Sequence, residues 1–194
     1  MNKALIGLDI SISSTGLCID IDGFKRLILI VDKTLTQNSK CDDVEYFVYN
    51  RISEKIKGYE GLDDEMLKLV SYENKANLVL EKIVETLKLY RIDTNDVEIY
   101  FEKPSLQAQG QAKLEIPIVN ALVRRKLLTI FDINQINGHA PTQLKKMWTG
   151  NGRAKKEEME EVYLTKDLPK LTRKIKGCKL DDIIDAIALV EIHK

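Results

Sequence analysis

Ala4-Leu5-Ile6-Gly7-Leu8-Asp9-Ile10 is an apolar run broken by a single acid. Its length and composition predict a buried central strand. An ionised carboxylate in such a place costs several kcal/mol unless a cation or hydrogen-bond donors share it. The pattern recurs twice. Val97-Glu98-Ile99-Tyr100-Phe101-Glu102 is a second strand-like run that ends in an acid, and Asp181-Asp182-Ile183-Ile184-Asp185-Ala186-Ile187-Ala188-Leu189 is a helix-like segment with acids three residues apart. Asp9, Glu102, Asp182 and Asp185 therefore stand in or beside apolar segments, and the sequence raises the question of which positive charge they share.

Working outward from the first strand, Ser13-Ser14-Thr15-Gly16 reads as a turn cluster. Leu17-Cys18-Ile19-Asp20-Ile21-Asp22 alternates as a half-buried strand should, and Asp22-Gly23 is a two-residue hairpin signal leading into Leu27-Ile28-Leu29-Ile30-Val31. Residues 33–62 are polar and read as an insertion, with Tyr46-Phe47-Val48-Tyr49 as an optional extra strand. Asp63-Asp64-Glu65 opens a helix that runs to about Tyr90, carrying Met66, Leu69, Val70, Leu80, Ile83, Val84 and Leu87 at helical spacing. After strand 97–102 come a helix from about Lys113 to Leu128, in which Pro117 predicts a kink, and a strand over Leu128-Thr129-Ile130-Phe131-Asp132-Ile133. Ala140-Pro141 starts a helix that Gly150-Asn151-Gly152 ends, and helices over Lys155–Thr165 and Leu180–His193 complete the chain. Three meander strands followed by α-β-α-β and terminal helices predict an α/β fold, a mixed five-stranded sheet flanked by helices, in one domain spanning residues 1–194.

Composition excludes several classes. A chain with 44% hydrophobic and 31% charged residues is neither disordered nor fibrous. No apolar run approaches the roughly 20 residues that span a bilayer. No signal peptide is visible, so no membrane partner and a cytoplasmic location are expected, the host cytoplasm for a phage or viral protein. Cys18, Cys41 and Cys178 form no C-x-x-C pair and read as reduced thiols. The zero net charge hides an uneven distribution. Lys103, Lys113, Arg124, Arg125, Lys126, Lys145, Lys146, Arg153, Lys155 and Lys156 face only Glu115 and Asp132 over residues 103–156, and Lys166, Lys170, Arg173, Lys174, Lys176 and Lys179 follow with only Asp167 against them. Such asymmetry suggests a basic face suited to nucleic acid, the alternative being solvated helix surfaces.

A hard divalent cation prefers oxygen ligands, and two such ions about 4 Å apart promote phosphodiester hydrolysis. Asp9 and Glu102 can meet if their strands are parallel neighbours, and Asp182 and Asp185, at i and i+3, project from one helix face. Asp181 lies about 100° away around that helix and is expected to be solvated or capping. Each acid taken alone is more simply a cap or a salt-bridge partner.

Gly7-Leu8-Asp9-Ile10-Ser11-Ile12-Ser13-Ser14-Thr15-Gly16 resembles the first motif of the RuvC-type Holliday junction resolvases, and Tyr100-Phe101-Glu102-Lys103 is similar to their second. His139-Ala140-Pro141-Thr142-Gln143-Leu144-Lys145-Lys146 with Gly150-Asn151-Gly152-Arg153-Ala154-Lys155-Lys156 resembles the next segment, and Leu180 to Leu189 the closing D-x-x-D-A-x-A helix. The matches come in family order from the first strand to the last helix. The resemblance implies an RNase H-like fold, a homodimer, and Mg²⁺-dependent nicking of branched DNA at four-way junctions; whether three-way or flapped DNA is also cut is left open by the sequence. It makes Asp9, Glu102, Asp182 and Asp185 ligands of two Mg²⁺ ions, for which Mn²⁺ substitutes, and adds Lys155 to the catalytic set. It makes Lys145, Lys146 and Lys155 DNA-contacting or transition-state-stabilising positions, and Lys103, Lys113, Arg153 and Lys156 of the basic region are expected to contact DNA beside them.

The chain departs from the family pattern in three places. The family's Asp-Pro-Gly is Asp9-Ile10-Ser11 here, the residues after Glu102 (Lys103-Pro104-Ser105-Leu106-Gln107) lack an aromatic that some members insert into the junction, and the Asp9–Glu102 interval is long. Two other readings stand beside the nuclease: a branched-DNA-binding protein with a silent site, and a phosphotransferase of the actin-like fold, whose phosphate loop the Asp9–Gly16 run also resembles. His139 and His193 are expected to be structural and exposed respectively, and Trp148 to pack in the core.

Overall fold

In the computed structural model the described residues are 3–32, 41, 43–49, 52, 58–104, 110, 112–169, 171 and 180–194. Much of the predicted insertion, Ser105-Leu106-Gln107, Cys178 and the basic residues from Lys170 to Lys179 lie outside them. The strands are β1 (Ala4–Ile10), β2 (Ser14–Ile21), β3 (Phe24–Val31), β4 (Glu45–Val48), β5 (Val97–Glu102) and β6 (Ile136–His139), and the helices are α1 (Asp64–Tyr90), α2 (Ala112–Leu127), α3 (Pro141–Thr149), α4 (Lys156–Thr165) and α5 (Leu180–Glu191). They form one mixed sheet in the order β4-β3-β2-β1-β5-β6, antiparallel across β1, β2 and β3 and parallel elsewhere.

The strand period of two sorts β1 onto two faces. Ala4, Ile6, Leu8 and Ile10 join the core beneath α1 and α2, where Tyr72, Ala76, Val79, Ile83, Val119 and Val123 meet them. The opposite face carries Leu5, Gly7 and Asp9, and on it sits the second core, built on α5 with Leu144 of α3 and Met159 of α4. Helices thus cover both faces, which is why β2, expected to be half-buried, is buried along its whole length. Asp20 is tolerated there because Lys25 and Lys194 each reach it at 2.8 Å. Cys18 and Cys41 are buried and are not disulfide-bonded.

Local signals place most boundaries. The Asp22-Gly23 hairpin has both residues at positive φ (52° and 94°), as a tight primed turn requires. The Asp63 side chain accepts the Met66 N–H at 2.8 Å and caps α1, and Pro141 occupies the first turn of α3, whose end Gly150 closes at φ 82°. The sheet has six strands, not five, because the Tyr46-Phe47-Val48 segment pairs in parallel with β3. The turn after β1 is tighter than expected: Ser14, Thr15 and Gly16 already belong to β2, with Thr15 opposite Ile10 and Gly16 opposite Asp9.

The strand predicted over Leu128–Ile133 is not formed. The chain leaves α2 at Leu127 through a turn, Asp132 caps a short 3-10 segment at Ile133–Gln135, and the parallel partner of β5 is Ile136–His139. Leu128, Ile130 and Ile133 are 47%, 41% and 69% exposed, and of the apolar residues in this run only Phe131 reaches the core. No helix among the described residues is long and apolar enough to cross a membrane.

Two glycines set how α5 meets the sheet. A Cβ on Gly7 would lie 2.0 Å from the Ala186 carbonyl oxygen, and one on Gly16 would lie 2.0 Å from the Asp182 carbonyl oxygen. The obstacle is backbone in both cases, so it cannot swing aside. Gly16→Ala is expected to lift the first turns of α5 and lower Tm by between about 3 and 10 °C, the size of an overpacking penalty in a chain of this length. A melting curve that superimposes on the parent would reject the close seating of α5.

Candidate active site

β1 and β5 are parallel neighbours in the register Leu8↔Phe101, so Asp9 and Glu102, one residue further on, end adjacent strands on the same face. Gly16 pairs with Asp9, and the Asp182 backbone of α5 sits directly over Gly16. Asp182 and Asp185 belong to the first turns of that helix, so both carboxylates reach the end of β1. Four acids from three separated segments are thereby brought to one place.

Their electrostatics confirm the grouping. Burial pushes the Asp9 carboxyl well above its ordinary range, and the charges of Asp182, Asp185 and Glu102 push it further. Burial likewise raises Glu102 to about 7, with the Asp182 charge adding to it and Lys145 and Lys156 opposing. Asp185 also rises to about 7, through burial and then Glu102 and Asp182. The four acids outnumber the two lysines, so the donor set is all oxygen, close together and short of positive charge. That fits a hard divalent cation and no softer metal. Among the described residues no three acidic, histidine or cysteine side chains already form a ligating group. The Asp182 Oδ2 accepts a hydrogen bond from the Ser14 hydroxyl.

A cleft of about 240 Å³ opens beside the acids, bounded by Glu102, Asp181 and Asp185 and by Lys145 and Lys156. The structure sets apart two adjacent lysines of which the resemblance made only Lys155 catalytic. Lys156 lines the cleft, donates to Asp181 at 2.9 Å, and is held charged by Asp181, Asp182 and Asp185. Lys155, expected to be catalytic, is the exposed N-cap of α4, and its backbone N–H donates to Glu158. The one-residue step from cap to helix puts the two side chains on different sides. Asp181 is the partner of Lys156 and not a solvated bystander.

Of the remaining expected DNA contacts, Lys145 is half-buried at the cleft, while Lys146 on α3, Arg153 in the following loop and Lys103 after β5 are exposed. Lys113 is exposed at the start of α2, whose buried side packs on the sheet face opposite α5. Trp148 is buried, donates from Nε1 to the Met159 carbonyl at 3.1 Å, and offers no free face to a base. His139 and His193 bond through their Nε2 atoms at 2.8 Å. His193 stacks on Tyr100 at 3.7 Å, so it is half-buried where exposure was expected. Neither histidine appears among the main groups that act on Asp9, Glu102 and Asp185. Ser14 has no signal in the sequence beyond a serine-rich turn.

The family model described as crossover junction endodeoxyribonuclease RuvC matches residues 45–193. Among solved structures, Thermus thermophilus RuvC in complex with Holliday junction substrate shares 17% identity at a TM-score of 0.52, covering 98% of this chain and 92% of that one. The yeast mitochondrial Holliday junction resolvase Ydc2 shares 10% identity at a TM-score of 0.55, covering 98% of this chain and 77% of that one. These likenesses show the fold, an RNase H-like mixed sheet between helices. No curated protein sequence matches the chain. Asp9 precedes the residues that the family model matches, so its place in the site rests on the β1–β5 register.

The raised acids have a consequence for stability. A carboxyl that titrates near 7 when folded and near its ordinary value of 3.8 when unfolded binds more protons in the folded state between those values. Stability then falls as pH rises from about 5 to 7.5. Asp185→Asn removes one such group, so in metal-free buffer this variant should gain on the parent across that interval. The gain should reach several degrees in Tm at pH 7.5, since each pKa unit is worth about 1.4 kcal/mol. Paired melting curves at the two pH values cancel the opposing histidine contributions. A constant difference would show that Asp185 is not pushed upward.

Proposed function

The chain belongs to the RuvC family of crossover junction endodeoxyribonucleases, and from that premise we propose that it is a divalent-metal-dependent endonuclease that nicks branched DNA and resolves four-way junctions. The observation that carries this reading is the convergence of Asp9, Glu102, Asp182 and Asp185 at the carboxyl ends of β1 and β5, with two lysines on the cleft wall. The four acids would hold two Mg²⁺ ions, with Mn²⁺ able to replace them. Ions held in that way favour attack of water on a phosphodiester and stabilise the departing oxygen.

The chain's own residues supply the rest. Lys145 and Lys156, half-buried and exposed respectively, set positive charge against a carboxylate cluster and so draw a phosphate to the acids. Lys156 is the lysine placed to offset charge developing on that phosphate, taking the part that the sequence resemblance gave to Lys155. Lys103, Lys146, Arg153 and Lys155 are exposed and extend the basic surface to neighbouring phosphates. Such contacts position the duplex arms without reading their sequence.

Resolution requires two opposed cuts, and a homodimer supplies two sites. Leu114 and Ile118 are 69% and 38% exposed at a cavity of about 440 Å³ between α1 and α2 that Leu69 and Tyr72 also line, and this face suits a second copy of the chain. Sedimentation is expected to give about twice 22.2 kDa for the parent and a monomer for Leu114→Glu combined with Ile118→Glu. A parent that sediments as a monomer at micromolar concentration would exclude this dimer.

Asp9→Asn should abolish nicking of a four-way junction with Mg²⁺ while leaving junction binding intact. Lys156→Met should slow nicking by about 100-fold, and Lys155→Met by less than tenfold. Nicking retained in Asp9→Asn would defeat the metal-site reading. An order reversed between the two lysines would defeat the assignment of Lys156.

A further inference from the structure

One buried cation lies beneath the turn that follows Asp9. Lys75 of α1 is fully buried, and its Nζ donates to the carbonyls of Ser11 and Ser14, the latter at 2.6 Å. The Lys75 Nζ also lies 5.5 Å from the centre of the Tyr49 ring. Tyr49 donates its hydroxyl to the Ile12 carbonyl at 3.1 Å, and Asn120 of α2 donates from Nδ2 to the Ile10 carbonyl at 3.3 Å. Three side chains from the α1–α2 side thus bind successive carbonyls of the Ile10–Ser14 turn. A lysine wholly out of water is costly, and a structure keeps one where its hydrogen bonds are needed.

The turn is also closed from within. The Ser11 hydroxyl donates to the Ser14 carbonyl at 3.0 Å, the Ser14 N–H donates back to Ser11 Oγ at 3.2 Å, and the two hydroxyl oxygens are 2.9 Å apart. Ser14, itself fully buried, then crosses to the other layer, where its hydroxyl donates to Oδ2 of Asp182 on α5. Backbone above Gly16 and hydroxyl from Ser14 therefore hold the same residue of α5.

We propose that Ser14 is a positioning residue for the Asp182 carboxylate, and that Lys75, acting through the Ser11–Ser14 turn, positions Ser14. This rests on the reading of the four acids as a divalent-cation site and names the contacts that orient one of its ligands. Partners of that kind fix a carboxylate in one orientation, and losing one typically weakens metal binding by about 10-fold to 100-fold. Neither residue touches the substrate, so their effect belongs to cation affinity and not to DNA binding.

The test is Mn²⁺ binding to the DNA-free protein, followed by calorimetric titration, together with junction binding measured without metal. Ser14→Ala is expected to weaken Mn²⁺ binding by about tenfold, with unchanged junction binding. Lys75→Met is expected to act in the same direction, and the double variant to lose little more than Ser14→Ala alone, since residues working through one contact are not additive. If Lys75→Met does not fold, Tyr49→Phe loosens the same turn at Ile12 and is read in its place, with a weaker Mn²⁺ isotherm expected. A folded Ser14→Ala protein with the parent's isotherm overturns the proposal, and strict additivity with Lys75→Met overturns the route from Lys75. Asp182→Asn separates the two levels of inference. If it loses Mn²⁺ while Ser14→Ala does not, only the positioning role fails; if it binds Mn²⁺ as the parent does, the cation site fails as well.

Discussion

The contact on which the rest depends is the seating of α5 on bare backbone. Gly7 and Gly16 leave no side chain between the central strands and the helix, so the carbonyls of Ala186 and Asp182 press directly on β1 and β2. Those two carbonyls are one helical turn apart, about 5.4 Å. Gly16 sits opposite Asp9, two residues along β1 from Gly7, about 7 Å. The match between a helical turn and a strand dipeptide carries the start of α5 to the end of β1, where Glu102 already waits on β5. A side chain at either glycine would hold α5 away and separate Asp182 and Asp185 from the strand acids. Packing and chemistry here are one constraint.

That constraint forces an electrostatic cost. The protein gathers Asp9, Glu102 and Asp185 where burial and mutual repulsion raise all three, and offers only Lys145 and Lys156 in return. Elsewhere it does the opposite. Asp20, Glu45, Glu73 and Glu98 each have basic partners and are held below their usual range despite burial. The chain can neutralise acids, and at the end of β1 it does not. A surplus of negative charge kept in a cleft, where the same fold neutralises its other acids, marks a candidate functional site.

Much of this was legible in the sequence, for physical reasons. Buried acids are conspicuous because apolar runs rarely contain them, so Asp9 and Glu102 stood out; the i, i+3 spacing picked Asp182 and Asp185 but missed that Asp181 lines the same cleft and acts on Asp185. Helix starts at Asp63 and Pro141 are set by local hydrogen bonding and φ, which sequence carries directly. Leu128–Ile133 misled because an apolar run forms a strand only where a sheet edge takes it, a tertiary fact, and here Phe131 alone of its apolar residues reaches the core. Lys155 and Lys156 were inseparable because a cap and a first helical residue differ only in backbone geometry. Ser14 and Lys75 were invisible for a related reason, since 61 residues separate a bond that exists only once α1 lies under the sheet.

The same bond accounts for a departure from the family motif. Where the family has Asp-Pro-Gly after its first strand, this chain has Asp9-Ile10-Ser11. Proline restricts φ, so a turn built with it is partly ordered by its own backbone. Ile10 and Ser11 provide no such restriction, and the order must come from elsewhere. Ile10 continues β1 into its pairing with Thr15, and Ser11 closes the turn onto Ser14. Asn120, Tyr49 and Lys75 then hold the carbonyls of Ile10, Ile12, Ser11 and Ser14 from beneath. Stiffness held by local backbone chemistry in the motif is held here by long-range hydrogen bonds. Ser14, placed by that turn, then bonds the acid of α5 that packs over the strand opposite Asp9.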